Sequence, residues 1–242
     1  MSSEDFSEFT EEGYRRALGL AKSAYSFEPF GTADEGSHVL WRHDVDASVH
    51  RAARLAAIEA EEDVRTTYFL SFHSSFYNLL ERPVLDAAQE VLAAGHWLGL
   101  HFDSSFPGPG DVSDRIAREA AQLADVLERP VVAFSFHNPG LANDDLAMDD
   151  DNVAGLVNAY GRSIRDGYRY VSDSNGYWRH QRLFDLLEDG PPRLHVLTHP
   201  EWWQAEPLPP RARIARCVEG RARRTLDDYD ALLEATGRAN LG

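Results

Sequence analysis

Short β-rich runs and longer helical runs alternate through almost the whole of this 242-residue chain, and that alternation restricts the fold more than any other feature. Residues 38–43 (HVLWRH), 65–71 (RTTYFLS), 96–101 (HWLGLH), 131–136 (VVAFSF), 168–172 (YRYVS) and 194–198 (LHVLT) are rich in β-branched and aromatic side chains and read as strands. The runs between them read as helices. Over 48–62, Val49, Ala52, Ala53 and Ala56 share one face, with Ser48 as N-cap. Over 83–94, Pro83 opens the first turn and Gly95 lies just past the end. Helices are also expected over 9–25, 111–128, from about 152, over 181–188, and from 210 onward. Right-handed βαβ crossovers make such strands parallel. There is no glycine-rich nucleotide fingerprint, so the expected fold is α/β. It is a single-domain distorted (β/α) barrel of six or seven parallel strands spanning 1–242, not an open doubly wound sheet. Residues 1–30 form an N-terminal helical extension and 210–242 a C-terminal helix in this reading.

Composition removes several function classes. The net charge of −16 argues against binding a phosphate backbone, which needs a basic surface. No run approaches the roughly 20 apolar residues that span a bilayer. Met1-Ser2-Ser3-Glu4-Asp5 has no basic region followed by an apolar stretch, so a cytoplasmic location is expected. The one cysteine, Cys217, excludes an internal disulfide and a multi-cysteine zinc site. Any bound metal must use His, Asp or Glu.

The reactive side chains fall at strand ends. His43, Asp44 and Asp46 close the first strand, and His73 follows the second. His101 and Asp103 close the third, His137 the fourth, Asp173 the fifth and His199 the sixth. In a parallel barrel these positions share the C-terminal rim, where βα loops build active sites. One such residue is an ordinary cap. Six strand ends with such groups bring carboxylates and imidazoles into one concavity, where a cation would relieve the repulsion between the carboxylates. Asp44 and Asp46 are two residues apart and point the same way if the strand continues. One can bind metal while the other takes a proton from water, and His199 across the rim can protonate a leaving group.

The segments LWRHDVD, RTTYFL, AGHWLGLHFD, FSFHNPG, YVSDSNGYW and VLTHPEWW occur in an order that resembles the polysaccharide deacetylase (NodB-homology) superfamily, which includes carbohydrate esterase family 4. The resemblance covers roughly residues 38–203. RTTYFL and AGHWLGLH are its most specific pieces. It implies a divalent metal, commonly zinc, and hydrolytic removal of an acyl group, usually acetyl, from an amino sugar. It implies Asp44 as general base, Asp46 and His101 as metal ligands, and His199 as general acid.

The chain departs from the family pattern at Ser105, where the family has its second metal-binding histidine. The third ligand is then His137, with Asp103 as the alternative. The family's usual Arg-x-Pro motif is also missing, so Arg42, or Asp173 with its neighbours, must orient Asp44. His43, His73, Trp178 and Trp202 are expected at the substrate or just behind the ligands, with Trp202-Trp203 the better stacking candidates. Asp144, Asp145, Asp149, Asp150 and Asp151 read as a solvated loop with a helix cap, because they lack the glycine and terminal glutamate of a calcium loop. Two rival functions stand beside the sugar deacetylase. One is a metal-dependent hydrolase of a non-sugar amide; the other is a non-catalytic sugar-binding or interaction protein.

Overall fold

A computed structural model describes residues 6–32, 36–139 and 147–241. The chain begins with α1 (Glu11–Ala24) and β1 (Ser26–Phe27), then runs through β2 (His38–Asp44), α2 (Val49–Glu61), β3 (Thr67–Leu70), α3 (Arg82–Ala93), β4 (Trp97–Phe102), α4 (Val112–Leu127) and β5 (Val131–Phe136). It continues through β6 (Asn152–Val153), β7 (Leu156–Asn158), α5 (Arg162–Gly167), β8 (Arg169–Ser172), α6 (Leu183–Asp189), β9 (Arg193–Thr198) and α7 (Pro210–Ala235). Seven strands pair in parallel in the order β7-β5-β4-β3-β2-β9-β8, the expected barrel sequence. β6 adds an antiparallel edge to β7, and β1 lies parallel beside β2. No ladder joins β8 to β7 among the described residues, so the barrel is open along that seam.

Strand periodicity sorts the side chains between two compartments. On β2, Val39 and Trp41 face out into a core shared with α1, α2 and α6, where Tyr14, Leu55 and Leu186 are buried. Leu40 faces in and packs with Phe30, Phe69, Ala133, Ala159 and Ile164. That inner cluster joins residues from both sides of the seam, so the sheet is curled on itself. On the far wall, Leu98, Leu100, Phe102, Phe134 and Phe136 face out against α3 and α4. Gly99 must lack a side chain, because a Cβ there would sit 2.5 Å from the inward-facing Phe69 ring.

The local signals place the helices well. Ser48 caps α2 by accepting from the Arg51 amide at 3.2 Å. Pro83 lies in the first turn of α3, and Gly95 turns the chain away with φ +97°. The helix expected from about 152 is a correction. That stretch is the β6–β7 hairpin, turned through Ala154 (φ 53°) and Gly155 (φ 81°). Two consecutive positive φ values define the tight hairpin turn and exclude a helix. The helix begins only at Arg162, where Asp151 accepts from the Ser163 amide at 2.7 Å. Asp144, Asp145 and the segment Met1-Ser2-Ser3-Glu4-Asp5 lie outside the described residues. Among the described residues, no helix is long and apolar enough to cross a membrane.

Candidate metal centre and active site

The inward register that buries Leu40 continues through Arg42 and Asp44 to Asp46 at the mouth. On β4 the inward register delivers His101, and on β5 it delivers Ser135 and, one residue past the strand, His137. Asp46, His101 and His137 each offer one ligand atom, all within 4.8 Å of one another. Asp46 Oδ1 is 3.0 Å from His101 Nε2 and 3.4 Å from His137 Nδ1. The two ring nitrogens are 3.1 Å apart. Asp46 Oδ1 is buried with these two ring nitrogens beside it, yet no donor is aligned to hydrogen-bond it. A buried carboxylate oxygen without a donor is costly, and a cation between these three groups would satisfy it. Burial pushes the Asp46 carboxyl up, but the His101 and His137 imidazoles beside it outweigh that and hold it well below the usual carboxylate range. The same pairing with Asp46 raises the His137 imidazole. The donor set, two imidazoles and one carboxylate, suits zinc or a similar divalent ion.

Behind these atoms lies a chain that sets their orientation. Ser135 Oγ donates to Asp44 Oδ1 at 3.3 Å. Its single proton is thereby used, so His101 Nδ1–H donates to Ser135 Oγ at 2.7 Å. His101 Nε2 then carries the lone pair that faces Asp46 and His137. The other Asp44 oxygen accepts from Arg42 Nη2 at 3.1 Å. Arg42 is fully buried, also donates to the Tyr160 hydroxyl at 2.9 Å, and lies over the Tyr160 ring. Of the two candidates to orient Asp44, Arg42 makes the contact. Asp173 faces elsewhere.

Asp173 holds His199. Its carboxylate accepts from His199 Nδ1 at 2.6 Å, from the His199 amide at 3.1 Å, and from Trp203 Nε1 at 2.9 Å. His199 Nε2 is left facing the mouth, 3.8 Å from Asp46 Oδ2. Burial disfavours the charged His199 ring, but the Asp173 carboxylate overrides this and lifts it to about 10. The pairing with Asp173 thus favours the protonated imidazole, the form that could give a proton. Glu201 is also buried nearby. Burial and the Asp46 charge push its carboxyl up to about 8, and its Oε2 has no partner.

Several expected residues lie elsewhere. His43 points outward, as its position one residue from Asp44 on a strand requires. It is bound to Glu59 of α2, 2.8 Å away, and to Thr198. Trp178 packs against Phe9 and Trp203 and donates to Glu8, so its ring is engaged in the outer core. Trp203 is fully buried as the clamp on Asp173, whereas the Trp202 ring lies 6.5 Å from that of His199. Asp103 turns back to accept from the amide and hydroxyl of Ser105, so it does not join the three converging groups. His73 lines a small pocket of about 30 Å³ together with Asp46, Ser71, Phe76, His101 and His137. Its ring stacks on Phe106 and contacts Glu119. Ser135 was absent from the expected site residues, and Trp203 was expected as a stacking platform, not as the donor that holds Asp173. Ser135 was within reach of the sequence, since it precedes His137 by two on the same strand. Trp203 gave no signal of its role.

No family model matches the chain, and no curated protein matches it. Solved structures do. A CE4 family pseudoenzyme from Bacillus anthracis shares 16% identity at a TM-score of 0.43, covering 69% of this chain and 56% of its own. A peptidoglycan deacetylase from Bdellovibrio bacteriovorus shares 17% at 0.44, covering 84% of this chain and 54% of its own. The chain thus spans a little over half the length of these two. A chitin deacetylase from Colletotrichum lindemuthianum shares 17% at 0.43, covering 80% of this chain and 88% of its own. At such identities and scores, any function must be argued from this chain's own residues.

Proposed function

We propose that the chain is a metal-dependent hydrolase that removes an acyl group, acetyl in the first instance, from the nitrogen of a sugar or sugar-containing metabolite. The observation that carries this reading is the partnerless Asp46 Oδ1, buried among converging His101 and His137 nitrogens. A proton acceptor, Asp44, lies on one side and a proton donor, His199, on the other. Asp46, His101 and His137 would hold a divalent cation, zinc being the first choice. When bound, it would polarise an acyl oxygen and favour ionisation of water.

The chain's own groups then divide the proton work. Asp44, fixed by Arg42 and Ser135, accepts a proton from the attacking water. His199, kept charged by Asp173, returns a proton to the departing amine. Arg42 keeps Asp44 from rotating away from the attacking water. The amino-sugar substrate class comes from the sequence resemblance. A non-sugar N-acyl amide is the second reading. The engagement of the part-buried Trp178 and the buried Trp203 in the outer core, which takes up two stacking platforms for a sugar ring, favours it.

The test is acetate release from N-acetyl sugars, run beside small N-acyl amides, with Asp44→Asn as control. Asp44→Asn should retain the metal and lose about 10²–10⁴-fold in turnover. Normal activity in that variant would show that Asp44 is not the base. Release from the amides alone would favour the second reading.

A further inference from the structure

Helix α7 carries a surface that the rest of the fold does not use. Of its 26 residues, Arg213 and Leu233 are buried. Val218, Leu226, Tyr229 and Leu232 are exposed at 49%, 64%, 53% and 55%. With exposed Ala222 they recur every three or four residues and fall within an arc of about 120°, in which Leu233 alone is buried. A continuous apolar stripe of this kind on an exposed helix marks a contact surface.

The charges of the same helix restrict what could cover it. Residues 210–224 hold one glutamate and six arginines, of which Arg213 is buried, Arg216 and Arg221 pair with Glu206 and Glu81, and Arg211, Arg223 and Arg224 remain on the surface, whereas 225–235 hold Asp227, Asp228, Asp230, Glu234 and no cation. This layout opposes the helix dipole, which favours carboxylates at the start and cations at the end. The first turn has no acidic residue and the last turn no basic one. Arg223 and Asp227 make no ion pair among the described residues. A charge order unfavourable within one helix becomes favourable against a second helix running the opposite way. Each basic half then faces an acidic half, and the two dipoles cancel.

We infer that α7 is a self-association surface on which two copies of this chain pair antiparallel about a two-fold axis near Leu226. In that register Leu226 meets its own copy, Ala222 meets Tyr229 of the second copy, and Val218 meets Leu232. Arg223 faces Asp230 across the rim. A two-fold contact of this kind is closed and self-complementary. It does not depend on the metal centre.

Light scattering on the purified chain should give twice its 27.1 kDa mass. Leu226→Glu, at an exposed position, should give a single-chain mass with unchanged circular dichroism. Asp230→Arg should weaken association at low salt by roughly tenfold, and adding Arg223→Asp should restore it. In a Cys217→Ser background, Leu226→Cys should form an intermolecular disulfide and Val218→Cys should not. A wild-type chain of single mass at about 100 µM, well above the Kd of a stable dimer, would overturn the inference. So would a Val218→Cys disulfide as ready as that of Leu226→Cys, because that would make the helices parallel.

Discussion

His43 and Asp44 are neighbours on β2, yet they belong to two opposite kinds of polar cluster. On the outer side, Glu59 is fully buried and saturated. Its Oε1 accepts from Tyr14 at 2.5 Å and lies 2.8 Å from His43 Nε2; its Oε2 accepts from Thr66 at 3.0 Å and Tyr68 at 2.6 Å. His96 completes the set by accepting from the Thr66 amide and donating to the Ala56 carbonyl. On the inner side, Asp46 Oδ1 is buried without a donor while two imidazoles close on it. Both clusters are built from histidines and carboxylates, and residue type does not separate them. Satisfaction of the polar atoms does. A saturated cluster ties α1, α2 and β3 to β2. An unsatisfied one stores binding capacity for something else.

The comparison breaks if the outer cluster also binds metal or the inner one also holds the fold. The largest effect on stability should come from Glu59→Ala. It leaves His43, Thr66, Tyr14 and Tyr68 without their buried acceptor, at a cost of about 3–5 kcal/mol in chemical denaturation. Asp46→Asn should cost the metal-free protein clearly less than Glu59→Ala, since it removes a charge pairing with His101 and His137 at the mouth and no saturated set of hydrogen bonds. A large loss there would make Asp46 a structural residue.

A smaller effect is expected from Ser135→Ala. It cuts the link from His101 to Asp44, so metal affinity and turnover should each fall about 10-fold, as for other groups that orient a ligand. An unchanged variant would remove Ser135 from the relay.

The last comparison is the pH dependence of the metal-free protein. His199 has its folded value raised to about 10, so its pairing with Asp173 contributes fully below the unfolded histidine value. That contribution declines as pH rises from about 6.5 towards 10. Glu59 runs the other way. Burial would raise it, but the charge and hydrogen bond of His43 lower it to about 2. Its contribution is complete above the unfolded carboxylate range and is lost as pH falls through about 2. Asp173→Asn should flatten the alkaline slope in a urea titration series and leave the acid limb intact.

Much of this was legible in the sequence because β strands alternate. Once residues 38–44 are a strand ending at the barrel mouth, Asp44 and Asp46 must face in, and His101 and His137 follow on neighbouring strands. The same rule applied one residue back would have turned His43 outward. Its place in a run of reactive residues obscured that. The β6–β7 hairpin was misread because Ala154 at φ 53° bears no turn signature, and Gly155 alone is a weak one. The fates of Trp178 and Trp203 depend on α1 packing over β2 and β9. That tertiary contact leaves no local periodicity to read.

The central claim is that the inner cluster, and not the outer, holds a divalent ion through Asp46, His101 and His137. Metal content and zinc titration calorimetry should be measured on the wild-type chain, His137→Ala, Asp103→Ala and His96→Ala. The account predicts one ion per chain for wild type, Asp103→Ala and folded His96→Ala, with affinity reduced at least about 100-fold in His137→Ala. A wild-type chain that binds no divalent ion, or His137→Ala binding as tightly as wild type, would contradict it.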